Sequence, residues 1–170
     1  MEKFNIIYEE ISSFNLPRYK ELPDMGLYLE QVVKYINGCL APLGCVEITS
    51  SMVSNYVKKG LVDNPVKKQY YAMHLAELFF VVLAKRVLAI DNLGIMLEMI
   101  KKESGSAVYD NSCAEFENRL RFVFGIANDI PASEAEENEL KMMLDEVITA
   151  VVLSIHLNYW FSKAKKEADE

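Results

Sequence analysis

Between Thr49 and Tyr71 the sequence gathers small polar and basic side chains at a spacing suited to holding a polyanion. Wound as an α-helix at about 100° per residue, this stretch puts Val53, Tyr56 and Val57 on one side and Ser51, Ser54, Asn55 and Lys58 on the other. Such a polar face matches what base edges in the DNA major groove require. Asn pairs with adenine, Ser tolerates several bases, and lysines neutralise phosphates. Ser50 or Ser51 at the helix start, with the free N–H groups of the first turn, suits a backbone phosphate. An ordinary solvated helix face has the same pattern, and spacing alone does not separate the two.

Other residues with chemical potential carry weaker patterns. His74 and Glu77 stand three apart on a helix, a metal-ligand spacing, but no second such pair accompanies them, so a structural pair and no metal are expected. Cys39, Cys45 and Cys113 are odd in number and far from both histidines, the pattern of buried, reduced thiols. His156, in an apolar helix, reads as a satisfied core histidine. No Gly-rich phosphate loop, nucleophile elbow or Cys-His pair with catalytic spacing is present, so no catalytic residue, no cofactor and no enzyme activity is expected. Tyr159, Trp160 and Phe161, with Phe116, Phe122 and Phe124, suit plain core or the lining of a small-molecule pocket.

The elements that must position these residues are all helical. After a short lead with Leu16-Pro17-Arg18 and Leu22-Pro23-Asp24, Leu29, Val32, Val33, Ile36 and Leu40 recur at helical spacing. Asn37-Gly38, Pro42 and Gly44 end that helix between Asn37 and Leu40 and open a loop to about Glu47. Thr49 then serves as an N-cap, with Ile48 and Val53 as a hydrophobic staple and Gly60 as the stop. Beyond the Asn64-Pro65 turn, Tyr71, Leu75, Leu78, Phe79, Val82 and Leu83 form one stripe, and Phe80 and Val81 widen it until the helix needs cover on several sides. Asp91 is expected to cap a helix to about Glu103, with Ile90 and Ile95 as its staple. Ser104-Gly105-Ser106 reads as a spacer and a soft boundary between residues 1–105 and 106–170.

Two further helices are expected, roughly Asn111 to Asn128 and Ser133 to Lys166, interrupted by Asp129-Ile130-Pro131. The second would run to about 34 residues against a usual dozen or so, a length that favours packing between subunits. Leu140, Leu144, Val147, Val151 and Ile155 mark its buried edge, and Glu134, Glu136, Glu137 and Glu139 place negative charge at its start.

Composition bounds the function classes. A chain that is 51% hydrophobic and 25% charged, with 7 Gly and 5 Pro, is balanced for a globular fold rather than disorder. Met1 to Ser12 carry three glutamates and no apolar block, and the apolar run Val147 to Phe161 is shorter than the roughly 20 residues of a membrane span, so a cytoplasmic protein with no membrane partner is expected. The formal charge of -7 argues against indiscriminate attraction to nucleic acid, yet it is unevenly spread. Residues 1–102 carry 12 Lys+Arg against 11 Asp+Glu, and the remainder 6 against 14. Within residues 46–90, Lys58, Lys59, Lys67, Lys68, Lys85 and Arg86 face Glu47, Asp63 and Glu77, a local positive patch.

The ordered string Ile48-Thr49-Ser50-Ser51-Met52-Val53-Ser54-Asn55-Tyr56-Val57-Lys58-Lys59-Gly60-Leu61-Val62, then Pro65, Lys67-Lys68 and Tyr70, resembles the winged helix-turn-helix of MerR-type regulators. His74-Leu75-Ala76 through Asp91-Asn92-Leu93 is similar to that family's long helix followed by a short one. The chain resembles more closely still a family of bacterial proteins known as domain of unknown function 1836, over about Leu16 to Lys102. The resemblance implies an all-α, MerR-like winged helix-turn-helix unit packed on a C-terminal helical and dimerising region. It implies a cytoplasmic, sequence-specific transcriptional regulator that binds double-stranded DNA as a homodimer, and it leaves room for a small-molecule effector. Ser50, Ser51, Ser54, Asn55, Lys58 and Lys59 would face bases or phosphates, and Lys67, Lys68 and Tyr70 the flanking backbone. The wing lacks that family's arginine and glycine, and the loop from Cys39 to Glu47 is long for a helix-turn-helix. A scaffold turned to protein interaction, or a small-molecule sensor, is the alternative.

Overall fold

The computed structural model describes residues 2–133 and 135–168, and among these seven α-helices carry the architecture. α1 spans Glu2–Ser13, α2 Leu29–Leu40, α3 Ser50–Lys58, α4 Ala72–Ala84, α5 Ile90–Lys102, α6 Gly105–Val123 and α7 Glu139–Ala168. The expected all-helical class is therefore observed. No helix among the described residues is long and apolar enough to cross a membrane.

The local rules hold well from α2 to α4. Val32, Ile36 and Leu40, four apart, are fully buried along one side of α2. Its end is a 3-10 turn at Ala41–Leu43, where Pro42 supplies no N–H. The loop that follows is held by Asn37, whose side-chain amide donates to the Ile48 carbonyl at 2.9 Å and whose oxygen accepts the Ile48 N–H at 2.8 Å. Ile48 is thus delivered, buried, to the start of α3, where the Met52 N–H reaches the Thr49 hydroxyl at 3.3 Å. Gly60 stops α3 at φ +73°, a left-handed conformation that costs glycine nothing, and Leu61 and Val62 then turn into the core.

α4 is the central helix. Nine of its residues are buried, because α2, α5, α6 and α7 all pack on it. A single main cluster draws side chains from Ile11 to Ile155, and Met96, Leu140 and Leu144 form a smaller one between α5 and α7. α6 and α7 run in the same direction. Arg119 meets Asp145 and Thr149, while Phe124 meets His156 and Tyr159, so contacts advance along both together. Residues 124–138 return the chain between them.

Several boundaries differ from the sequence reading. α1 stands where a short lead is expected; its Ile11, with Phe14 just beyond, is buried, and Arg121 bonds the Ser12 and Phe14 carbonyls. The α5 N-cap is Ala89, two residues before Asp91, and the proposed staple fails because Ile90 and Ile95 are both exposed. Ser104-Gly105-Ser106 is the beginning of α6, not a spacer: the Ser104 carbonyl accepts the Val108 N–H at 2.9 Å. α7 begins at Glu139, six residues later than expected, because Asn138 caps it by accepting the Lys141 N–H at 2.8 Å. Glu136 and Glu137 thus precede the helix, and Glu134 lies outside the described residues.

Asn37→Ala deletes both bonds to Ile48 and leaves its backbone groups without those partners. It should lower unfolding stability by about 2 kcal/mol in urea denaturation, without changing the helical circular dichroism of the folded state.

Candidate nucleic-acid interface

The chain between α3 and α4 turns back along α4, and each step is fixed by a named contact. Lys85, just past the end of α4, lies 5.6 Å from the centre of the Tyr56 ring, so α3 sits by that end. Further on, the Asp63 N–H donates to Glu77 Oε2 at 2.9 Å. The Asn64 carbonyl lies 3.1 Å from His74 Nε2, and the Tyr71 N–H donates to His74 Nδ1 at 2.9 Å. Because Nδ1 accepts, the geometry assigns the His74 proton to Nε2, which donates to Asn64. His74 and Glu77 thus each bond backbone groups of the 63–71 segment, and no group of three or more metal-binding side chains occurs among the described residues.

Between those anchors lies a two-residue hairpin. Val66 and Gln69 exchange both backbone hydrogen bonds at 2.9 Å, and Tyr70 and Leu27 do the same at 2.9 and 2.8 Å. Gly26 permits this docking, since a Cβ there would come within 2.7 Å of the Gln69 Cβ. The tip residues Lys67 and Lys68 have φ of 49° and 65°, the sign pattern of a type I′ turn, which ordinarily selects Asn-Gly. Two consecutive lysines in the left-handed region carry a backbone cost of order 1 kcal/mol or more apiece. Both side chains are exposed.

The outward face expected of α3 is present. Ser51, Ser54, Asn55 and Lys58 are exposed and so is Lys59, while Val53 and Tyr56 are buried. Ser50 is half-buried, and its hydroxyl bonds Glu30 Oε1 at 3.2 Å. Tyr70 stands apart from this set. Its ring is buried edge-on to His74, and burial pushes its hydroxyl pKa up, so it supports the hairpin from within. Arg86 also leaves the basic patch, because its guanidinium holds the Cys45 carbonyl at 2.9 Å and the Ser154 hydroxyl at 3.3 Å. Two exposed basic groups remain, Lys58 and Lys59 at one end of α4 and Lys67 and Lys68 at the other. Thirteen helical residues place them on the order of 20 Å apart.

The remaining candidates divide differently from expectation. Cys113 is buried and its thiol is pushed up to about 12 by burial, whereas Cys39 and Cys45 are only half-buried, with thiols raised by burial too. All three are thus poor nucleophiles at neutral pH. His156 is half-buried at the edge of the core; it accepts the Trp160 indole N–H at 3.0 Å and has its pKa lowered by burial. The aromatic group splits: Phe116 and Phe124 are core, while Phe122, Trp160 and Phe161 are exposed.

Glu77 is the ionisable side chain that sequence spacing located without giving its surroundings. Burial raises its carboxyl pKa, against the lowering effects of the Asp63 N–H and Lys101. Lys101 loses by burial but gains more from Asp63 and Glu77, so its pKa is raised. The basic residues at the turn were legible as composition, but their left-handed backbone was not, since lysine has no preference for it.

Lys67→Asn/Lys68→Gly restores the residues that the turn prefers and should raise stability by about 1 kcal/mol in urea denaturation. A second outcome concerns pH. A carboxyl whose folded pKa is raised contributes stability below the ordinary carboxylate range, lost as pH rises through the folded value. Glu77→Gln should therefore flatten that part of the stability–pH curve, read from thermal melts at successive pH values.

A comparison with protein families matches residues 17–116 to the family described as domain of unknown function DUF1836, and the chain belongs to it. No curated protein and no solved structure matches.

Proposed function

We infer that this DUF1836 member is a sequence-specific DNA-binding transcriptional regulator, with α3 as a recognition helix and the Val66–Gln69 hairpin as a small wing in a MerR-like winged helix-turn-helix. The observation that carries the reading is the pair of lysines held at the tip of a turn whose backbone disfavours them. Strain of this kind gathers at functional sites, and here it displays two cations at a defined distance from a second basic group. The outward Ser51, Ser54 and Asn55 supply hydrogen-bonding groups for base edges, and Lys58 and Lys59 reach phosphates at the C-terminal end of α3. Ser50 would support the α3 start through Glu30 rather than contact DNA itself.

A homodimer completes the reading. Ala150, Leu153, Leu157, Trp160 and Ala164 are exposed on α7 and alternate at three- and four-residue spacing, the seam of a two-stranded coiled coil. Pairing two copies would set two α3 helices against successive major grooves, about 34 Å apart, on a pseudo-palindromic site.

Selection from random duplex DNA should enrich such a site. Binding to it should weaken with salt at a log-log slope near -3.6 per subunit, about -0.9 for each of Lys58, Lys59, Lys67 and Lys68. Lys67→Asn/Lys68→Gly, the variant expected to gain stability, should lose about half that slope. Enrichment of no sequence at modest salt would refute the reading, and an unchanged slope in the double variant would remove the hairpin from the interface.

A further inference from the structure

A cavity of about 410 Å³ lies between α4, α5, α6 and α7, apart from the exposed face of α3 and from the hairpin tip. Its walls are apolar, formed chiefly by Phe79, Phe80, Leu97, Phe116, Val147 and Val151. A cavity of roughly 150 Å³ accommodates benzene, so this one has room for a ring with a substantial side chain. Three charged side chains, Glu77, Asp63 and Lys101, meet at one place in the lining.

The bonding of those three leaves a specific vacancy in hydrogen-bond terms. Glu77 is 92% buried by its fractional exposure of 8%, and its Oε2 already accepts the Asp63 N–H. Its Oε1 is buried with no hydrogen-bond partner. Lys101 Nζ is 3.2 Å away, close enough for an ion pair, but that ammonium is directed to Asp63 Oδ1 at 2.7 Å and does not align with Glu77 Oε1. Two carboxylates therefore share one ammonium. Glu77 Oε1 thus keeps an ion pair but no aligned donor, and a buried acceptor left so beside an apolar cavity can take a further donor from a bound molecule.

We propose that this cavity is a binding site for a small lipophilic molecule with a single cationic or hydrogen-bond-donating head, the head meeting Glu77 Oε1 and the apolar body lying between α4 and α7. The sign of the head follows from the acceptor left open and from the excess of carboxylate over ammonium. An anionic head would have to displace Asp63 from Lys101 and lie against Glu77. The site is independent of any DNA contact, and its test contains no DNA.

Titration calorimetry of the full chain with three matched probes decides the matter: 4-phenylbutylammonium, 4-phenylbutanol and 4-phenylbutyrate. The ammonium should bind one to one, at least about tenfold tighter than the carboxylate, with the alcohol between them. Glu77→Gln should weaken the ammonium about tenfold and leave the alcohol within about threefold. Ala76→Phe, which fills the cavity and keeps Glu77, should abolish binding of all three. The proposal is overturned if no probe binds, if the carboxylate binds as tightly as the ammonium, or if the ammonium keeps its affinity in Ala76→Phe, which would place it on the acidic surface instead. Should Glu77→Gln fail to fold, the probe series and Ala76→Phe still decide.

Discussion

A helix buried on almost every side tolerates polar side chains only where each finds a partner, and α4 carries two of them three residues apart. His74 uses both ring nitrogens, one for Tyr71 and one for Asn64, and Glu77 takes the Asp63 N–H. These three bonds hold the ends of the segment that bears the hairpin. Without them, residues 63–71 would be a loop over an apolar helix; with them, Lys67 and Lys68 project from a fixed base. Burial that would ordinarily penalise such residues instead makes their bonds decisive, because a donor or acceptor lost there has no water to replace it.

The same logic recurs where the chain before α2 meets α6. Glu117 is buried on α6, and the Arg18 guanidinium grips both its oxygens at 2.7 and 2.8 Å while the Leu16 N–H donates to Oε1 at 2.8 Å. That fork raises the Arg18 pKa, chiefly through the hydrogen bonds to Glu117. Tyr109 adds a bond to the Pro17 carbonyl, and Asp110 takes the Tyr19 N–H. The segment from Leu16 to Tyr19 is thereby tied to α6, which places Leu16 and Tyr19 in the wall of the cavity.

How much of this was legible in the sequence depends on where the information resides. α2, α3 and α4 were readable because apolar periodicity, a Thr cap and a stopping glycine are local signals, and the structure realises each. The α3 face was readable for the same reason. Asn138 as a cap and Ser104 as a helix entry are local signals too, but the neighbouring Pro and Gly punctuation competes with them. α1 is not legible locally because Ile11 and Phe14 acquire their cover from distant parts of the chain. The turn conformation of Lys67 and Lys68 opposes their propensity and is imposed by the Val66–Gln69 pairing and the docked Gly26, so no local rule gives it. The cavity is the extreme case. Its walls come from four helices and the Leu16–Tyr19 segment, and Glu77 Oε1 lacks an aligned donor because of the direction in which Lys101 points, a matter of geometry alone.

The tie between Leu16, Arg18 and Glu117 has a consequence for how the chain is made. The partners are about 100 residues apart in sequence, with Arg18 and Glu117 separated by 99. At synthesis rates of roughly 5–20 residues per second, Ile11, Phe14 and Leu16 leave the ribosome about 5 to 20 s before α6 can cover them. During that interval α1 has its neighbour at Ala41–Leu43 but lacks α6. The growing chain thus passes through a window in which Ile11, Phe14 and Leu16 have only the cover that nearer segments supply, until α6 arrives.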